Sequence, residues 1–375
     1  MKSLTLLIKP ASSLCNMRCR YCFYDDVSDN RQVKSMGVMK EATIRRLLQS
    51  AVEAVEPGGS IQVLFQGGEP TLAGLEYFRT FLRLEAELCP QSVQISHSIQ
   101  TNGMAMDDQW AEFFARNHFL VGLSLDGTRE FHDRFRVDSN GKGSWSQVVK
   151  ALAILDRYHV ETNLLCVVTG AIARSPQKVY QSLRKLGDHP LQFIPCLDPL
   201  DCERGTLPHS LSPDGYGKFL CVLFDCWYRE LSEGTYVSIR CFDDYLRIMM
   251  GMAPGSCAAS GSCGSYLVVE GDGSLYPCDF FVLDSWCLGN IHEVSVEDAL
   301  ASPNSQAFLQ EGNRRPNECF SCPYAALCRG GCKRDWFYSN GMPKNYYCQA
   351  FRSFFDYALS RLRRAANMLV SGKTS

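Results

Sequence analysis

Long apolar runs are missing from this chain. SLTLLI, near the start, lasts six residues before Lys9 and Pro10 interrupt it, too short for a secretory signal. No later run approaches the roughly 20 apolar residues that a membrane-crossing helix needs, so no membrane partner is expected. An excess of one charge is missing too: 38 Lys and Arg against 40 Asp and Glu leave a formal net charge of −2 and a pI near 6.4. A field that weak recruits neither nucleic acid nor an anionic membrane surface. Repeats and low-complexity tracts are absent, and 46% hydrophobic with 21% charged residues excludes a disordered chain. Histidine is scarce, with 7 in the chain and the first at His97. Cysteine is not: there are 19. Without a signal segment the expected location is the cytoplasm, where many cysteines point to metal ligation rather than disulfides, and an odd total argues against complete pairing.

Up to about residue 200, short β-rich runs alternate with amphipathic stretches. Strands are predicted at 4–9, 61–66, 93–100, 119–126, 161–168 and 191–196, with helices near 39–55, 73–88, 107–117, 145–158 and 175–186. Such alternation implies an α/β fold with a parallel sheet and right-handed crossovers. Gly-, Asp- and Glu-bearing loops after the strands favour a partial (β/α)6 barrel over an open sheet, with the chemistry at the carboxyl ends of the strands. Beyond about 200 the alternation stops. The chain is therefore expected to divide into a barrel over 1–205 and a cysteine-rich domain over 206–375 with little regular structure. Helices near 213–231 and 349–370 bracket its cysteine loops, and the last of them reads as a docking helix.

Cys15, Cys19 and Cys22 follow the first predicted strand at spacings of three and two intervening residues. Three thiolates from one loop reach three corners of a [4Fe–4S] cube and leave one iron without a protein ligand. A zinc site would want a fourth Cys or His nearby. The loop resembles the signature of the radical SAM superfamily, and LFQGGEPT at 64–71 resembles the superfamily's GGE element after the second strand. The resemblance covers residues 5 to about 200. It implies that the open iron chelates S-adenosylmethionine (SAM), that Gly68 and Glu69 meet the SAM amino group, that Ser124 and Arg136 hold its carboxylate and ribose, and that Tyr21 and Leu197 complete the adenine side. Read as residues alone, Ser124 is equally a helix cap, Arg136 a solvated charge and Leu197 core packing.

The later cysteines fall as Cys257, Cys263 and Cys278, then Cys319, Cys322, Cys328 and Cys332, then Cys348. Eight thiolates suffice for two four-cysteine clusters or for two structural zinc sites. The spacing resembles a SPASM domain, which implies an interleaved assignment: Cys257, Cys263, Cys278 and Cys332 to auxiliary cluster I, and Cys319, Cys322, Cys328 and Cys348 to auxiliary cluster II. Three [4Fe–4S] clusters are then expected in all. The remaining cysteines, at 89, 166, 196, 202, 221, 226, 241 and 287, read as buried small hydrophobes.

LYPCDFFV at 275–282 narrows the reading. Together with LLIKPASSLCNMRCRYCFY, QTNGMAMD, FLVGLSLDG, QFIPCLDPL and NYYCQAF, it resembles the anaerobic sulfatase-maturating enzymes along almost the whole chain. The resemblance implies a radical SAM oxidoreductase that converts an active-site cysteine or serine of a sulfatase polypeptide to Cα-formylglycine. Asp279 would be its catalytic base and a flavodoxin or ferredoxin its electron donor. Two alternatives stay open: a SPASM maturase forming thioether crosslinks in a ribosomal peptide, and, from another class, an iron–sulfur electron carrier or zinc scaffold. The fourteen residues before Cys15 are too few for the leader-binding domain that many crosslinking maturases carry.

Overall fold

Short runs of buried Leu, Ile, Val and Phe, each bounded by polar or glycine-rich loops, form the strands. In the computed structural model, which describes residues 1–264, 266–339 and 341–370, these are β1 (Ser3–Ile8), β2 (Ser60–Phe65), β3 (Gln94–Thr101), β4 (Leu120–Ser124), β5 (Thr162–Val168) and β6 (Leu191–Pro195). The shorter β7 (Leu267–Val269), β8 (Ser274–Tyr276), β9 (Gly289–Asn290), β10 (Trp336–Ser339) and β11 (Met342–Asn345) follow. All six strands expected in the first part of the chain are present, with helices between them. The chain packs into two compact units, each discontinuous in sequence: Met1–Ser124, Arg136–Thr162 and Gly264–Glu311 in one, Leu125–Phe135, Asn163–Cys263 and Gly312 onward in the other.

In the first unit β1, β2, β3 and β4 pair in parallel, with Ser3 opposite Ser60 and Ile61 opposite Ile95. The free side of β1 takes β7, also in parallel, and β8 and β9 extend that edge antiparallel. The helix Glu41–Ala54 buries Ile44, Leu47, Leu48 and Ala51, the i, i+3, i+4, i+7 stripe of a helix lying on a sheet. Phe65, at the end of β2, has Phe78, Phe81 and Phe119 around it at ring separations of 5.0, 5.1 and 6.1 Å. Burying an aromatic of this kind contributes roughly 1.5–3 kcal/mol, so the cluster anchors β2 directly below the loop that follows it.

In the second unit β5 and β6 pair in parallel, and β10 with β11 forms an antiparallel hairpin. The expected C-terminal helix runs Cys348–Val370 and docks as predicted, burying Phe354, Phe355, Ala358 and Leu362. Phe354 lies 5.8 Å from Phe224, on the helix Pro213–Ser232, and stacks on Phe242 of the helix Arg240–Met249 at 5.9 Å. The helices Phe23–Asp29, Arg129–Phe135 and Arg240–Met249 were not anticipated. The first two are seven residues each, too short for a periodicity to show. No described helix is long and apolar enough to cross a membrane.

Candidate active site and cluster loops

The chain leaves β1 at Ile8 and turns at once. Lys9 donates its amide to Val269 of β7 at 2.8 Å, and its carbonyl accepts from Ser12 at 3.2 Å. Ser12 adopts a left-handed φ of 50°, uncommon for a residue with a side chain, and thereby aims its carbonyl at the Gly68 amide, 2.8 Å away. The next carbonyl contact repeats the pattern: Glu69 donates its amide to Leu14 at 2.7 Å. A Cβ on Gly68 would sit 2.2 Å from the Leu14 carbonyl oxygen, so no other residue lets the two loops approach this closely. The glycines of the GGE turn thus face the backbone of the cysteine loop.

On that support stand Cys15, Cys19 and Cys22, all partly exposed. The Met17 amide donates to Cys15 Sγ at 3.4 Å, and Asn102 Nδ2 lies 3.9 Å from the same sulfur. Burial pushes the Cys15 thiol up to about 11 and raises Cys22 as well. Desolvated sulfurs of this kind become thiolates when a metal ion holds them, and N–H groups aimed at sulfur are a feature of iron–sulfur sites. The donor set fits an iron cluster.

Glu69 is 1% exposed, and its carboxylate is fully engaged within the protein. Oε1 accepts from the Thr71 amide (3.1 Å), Thr71 Oγ1 (2.6 Å) and Thr101 Oγ1 (2.8 Å), and Oε2 accepts from the Asn102 amide (2.8 Å). Burial raises its pKa, and these four donors oppose the shift. Arg136, also buried, places its guanidinium 5.4 Å from the centre of the buried Tyr21 ring. Its neighbour Val137 accepts the Arg18 amide at 2.8 Å, which ties the Arg136 segment to the cysteine loop. Ser124 closes β4 and is half-buried. Tyr21, Gly68, Glu69, Ser124 and Arg136 all belong to the first unit, whereas Leu197, half-buried just after β6, belongs to the second. Sequence reasoning passed over Asn102. Its amide meets Glu69 and its Nδ2 donates to Asn16 at 2.8 Å; the signal was a Thr-Asn-Gly at the carboxyl end of β3, where parallel α/β folds carry their chemistry.

Asp279 opens a single 3-10 turn, Asp279–Phe281, and is 4% exposed. One carboxylate oxygen forms an ion pair with Lys9 Nζ, and the other accepts from Gln66 Nε2 at 3.0 Å. The Lys9 ammonium lies over the Tyr24 ring, 3.5 Å from its centre. The Tyr24 hydroxyl donates to Glu270, which pairs with Arg31 at 2.7 Å. Burial pushes Glu270 up, but the Arg31 and Lys9 cations more than offset it and hold the carboxyl below its ordinary range. Lys9, Tyr24, Arg31 and Glu270 were not anticipated as a group, although a lysine at the end of a buried strand is itself a signal.

Cys278 sits beside Asp279 in the first unit, its sulfur 3.5 Å from the Tyr266 hydroxyl. Cys257, Cys263 and Cys332 belong to the second unit. There Gly261, at a left-handed φ of 67°, brings the Cys257–Cys263 loop against Arg329: a Cβ would lie 2.4 Å from the Arg329 carbonyl oxygen. Cys319, Cys322, Cys328 and Cys348 line one cavity of about 300 Å³ with Lys344, Phe351 and Arg352. Among the described residues no three Cys, His, Asp or Glu side chains converge on a point that a single ion would fill. Four cysteine thiols on one cavity are a donor set of the kind that holds a four-iron cluster. Burial pushes the Cys328 thiol up to about 12, as it does in milder degree for Cys319 and Cys348. The reading of the other eight cysteines as buried needs correction. Cys166 and Cys196 are buried, but Cys202 is exposed in the loop after β6, and Cys89, Cys221, Cys226, Cys241 and Cys287 lie half-buried at helix ends and flanks, where an apolar run continues past the buried stripe.

A three-cysteine loop after the first strand of a parallel sheet, braced by a Gly-Gly-Glu turn and followed later in the chain by eight further cysteines at auxiliary-cluster spacing, defines a radical SAM enzyme with an auxiliary-cluster module. Residues 10–182 match the radical SAM superfamily and residues 261–323 the iron–sulfur cluster-binding SPASM domain. The chain is 43% identical over 371 residues to the cysteine-type anaerobic sulfatase-maturating enzyme of Clostridium novyi, covering 98% of this chain and 99% of that one. It is 34% identical to the serine-type anaerobic sulfatase-maturating enzyme of Klebsiella aerogenes, covering 96% of this chain and 86% of that one. The solved structure of native anSMEcpe with bound AdoMet and Cp18Cys peptide superposes with a TM-score of 0.92 at 42% identity, covering 98% of this chain and 99% of that one. This chain belongs to the family of anaerobic sulfatase-maturating enzymes, oxidoreductases that employ SAM and [4Fe–4S] clusters.

Proposed function

We propose that the chain oxidises an active-site cysteine of a sulfatase polypeptide to Cα-formylglycine, with Asp279 as the base. The observation that carries this reading is the seat of Asp279: a buried carboxylate directly after Cys278, held by Lys9 and Gln66. Higher identity to a cysteine-type relative than to a serine-type one supports cysteine as the target. Cys15, Cys19 and Cys22 would hold the cluster at which SAM binds, and that pair would supply a 5′-deoxyadenosyl radical able to take a hydrogen atom from the substrate Cβ; the second electron would leave through an auxiliary cluster, and water would replace the sulfur at Cβ as sulfide departs. Asp279 accepts the thiol proton of the same residue as general base.

Arg136 and Tyr21, stacked 5.4 Å apart, together with Gly68, Glu69, Ser124 and Leu197 form the SAM-holding set in this reading. Glu69 acts there mainly by bracing the ends of β2 and β3. Cys257, Cys263, Cys278 and Cys332 hold auxiliary cluster I, and Cys319, Cys322, Cys328 and Cys348 hold auxiliary cluster II. The same proposal includes the division near residue 205 and a flavodoxin or ferredoxin as electron donor. The test is anaerobic incubation of the reconstituted enzyme with SAM, a reductant and paired sulfatase-motif peptides carrying Cys or Ser, read by mass spectrometry. Formylglycine on the Cys peptide in excess of the Ser peptide is expected; equal or reversed conversion overturns cysteine preference, and no conversion of either overturns the whole reading.

A further inference from the structure

We propose that Lys9 is a positioning residue for the reaction, acting through Asp279. This rests on the reading of Asp279 as the base. Lys9 is 0% exposed, and a lysine is almost never fully buried without a partner. Its partner lies 270 residues further along the chain. The contact is directional: one oxygen of Asp279 meets the Lys9 ammonium while Gln66 Nε2 holds the other at 3.0 Å. The two donors come from the ends of neighbouring strands, β1 and β2, so the carboxylate is gripped from the sheet itself. An ionised carboxylate offers about four acceptor sites, of which Lys9 and Gln66 occupy two.

Lys9 is in turn fixed from behind. The Tyr24 ring lies under its ammonium, 3.5 Å from centre to Nζ, and Tyr24 is held by its hydroxyl on Glu270. Arg31 closes the row with a 2.7 Å ion pair to Glu270, both side chains fully buried. Arg31, Glu270, Tyr24, Lys9 and Asp279 thus form one buried line of alternating partners whose free end is the proposed base. A lysine ammonium carries three donors and no acceptor, so Lys9 has no proton-accepting role of its own. Its contribution is the orientation of Asp279.

The experiment compares reconstituted wild type, Lys9→Met, Lys9→Arg, Asp279→Asn and the Lys9→Met/Asp279→Asn double variant. For each, cluster iron, 5′-deoxyadenosine release, and kcat and KM for formylglycine on a Cys sulfatase peptide are measured. Lys9→Met is expected to keep its clusters, its 5′-deoxyadenosine release and a near wild-type KM. Its formylglycine kcat should fall about 10- to 100-fold, the scale of a misplaced reacting group. Lys9→Arg should recover part of that loss, and adding Lys9→Met to Asp279→Asn should cost nothing further. Wild-type kcat in Lys9→Met, or additive losses in the double variant, overturns the proposal. If Lys9→Met alone loses its clusters, the double variant, which removes both charges, decides: activity equal to Asp279→Asn supports positioning, and cluster loss in both marks Lys9 as purely structural and overturns it. Wild-type formylglycine output from Asp279→Asn would instead refute the base assignment, a distinct result.

Discussion

Asn102 donates its backbone amide to Glu69 Oε2 at 2.8 Å, joining the carboxyl ends of β3 and β2 through a side chain that solvent does not reach. Thr71 and Thr101 complete the shell around the same carboxylate. The GGE turn is therefore braced from inside the protein as well as packed on the cysteine loop.

Glu69→Gln keeps the size of the side chain but turns an NH2 group toward donors. One buried donor is left without an acceptor, at a cost of about 1–3 kcal/mol. The expected result is a lower urea midpoint together with weaker SAM binding. SAM affinity that falls with no change in the unfolding midpoint would mean that Glu69 acts on the ligand alone.

Gly68→Ala places a methyl group 2.2 Å from a backbone oxygen of the cysteine loop, which no side-chain rotation relieves. Reconstituted wild-type protein is expected to hold three [4Fe–4S] clusters. Gly68→Ala should retain the auxiliary iron while losing the N-terminal cluster and SAM cleavage, as should the combined Cys15, Cys19 and Cys22→Ala variant. Iron and sulfide analysis with Mössbauer spectroscopy checks this; a full cluster complement in Gly68→Ala would show that the loop tolerates the displacement.

Asp279→Asn preserves shape and much of the hydrogen bonding and removes the base. Clusters and 5′-deoxyadenosine release should persist, while formylglycine formation drops by roughly 10²- to 10⁴-fold, the usual contribution of general-base catalysis. Loss of a cluster in this variant would point to Asp279 as a support for the neighbouring Cys278.

Arg31→Met leaves the Glu270 carboxylate buried without its strongest partner, at a cost of about 3–5 kcal/mol. With the guanidinium gone, the Glu270 pKa rises from its lowered native value. The native variant then binds a proton more readily than native wild type, so its deficit should shrink as the pH falls from roughly 8 toward the ordinary glutamate range at about 4.3. Urea midpoints at both ends of that range test the sign. Arg31→Met/Glu270→Gln should recover most of the loss and show no such pH dependence.

Much of this was legible in the sequence. The six parallel strands stand within one or two residues of the expected positions, because strands buried on both faces write themselves as short continuous apolar runs. β7 to β9, at two or three residues each, carry no readable period, and the place of β7 beside β1 depends on pairing across more than 250 residues. The cysteines proposed as cluster ligands stand out by their spacing alone. Lys9 did not: it marked the end of an apolar run, and its meaning as the partner of Asp279 depends on a distant turn. Asn102 and Glu69 show the same limit, since a hydrogen-bond shell between strand ends has no signature in either strand alone.

The place of β7 beside β1 has a consequence for synthesis. Leu6, Leu7 and Ile8 pair on one side with β2, which follows soon after, but on the other with Leu267–Val269. At roughly 5–20 residues per second, that second partner arrives on the order of tens of seconds later. Throughout that interval the nascent chain carries an open, apolar strand edge beside Lys9, whose counter-ion has yet to be made, and open edges invite pairing with other chains. Low yield from slow or interrupted translation should therefore take the form of aggregated N-terminal fragments, and co-expressed chaperones should act on the ribosome-bound chain more than on the released protein.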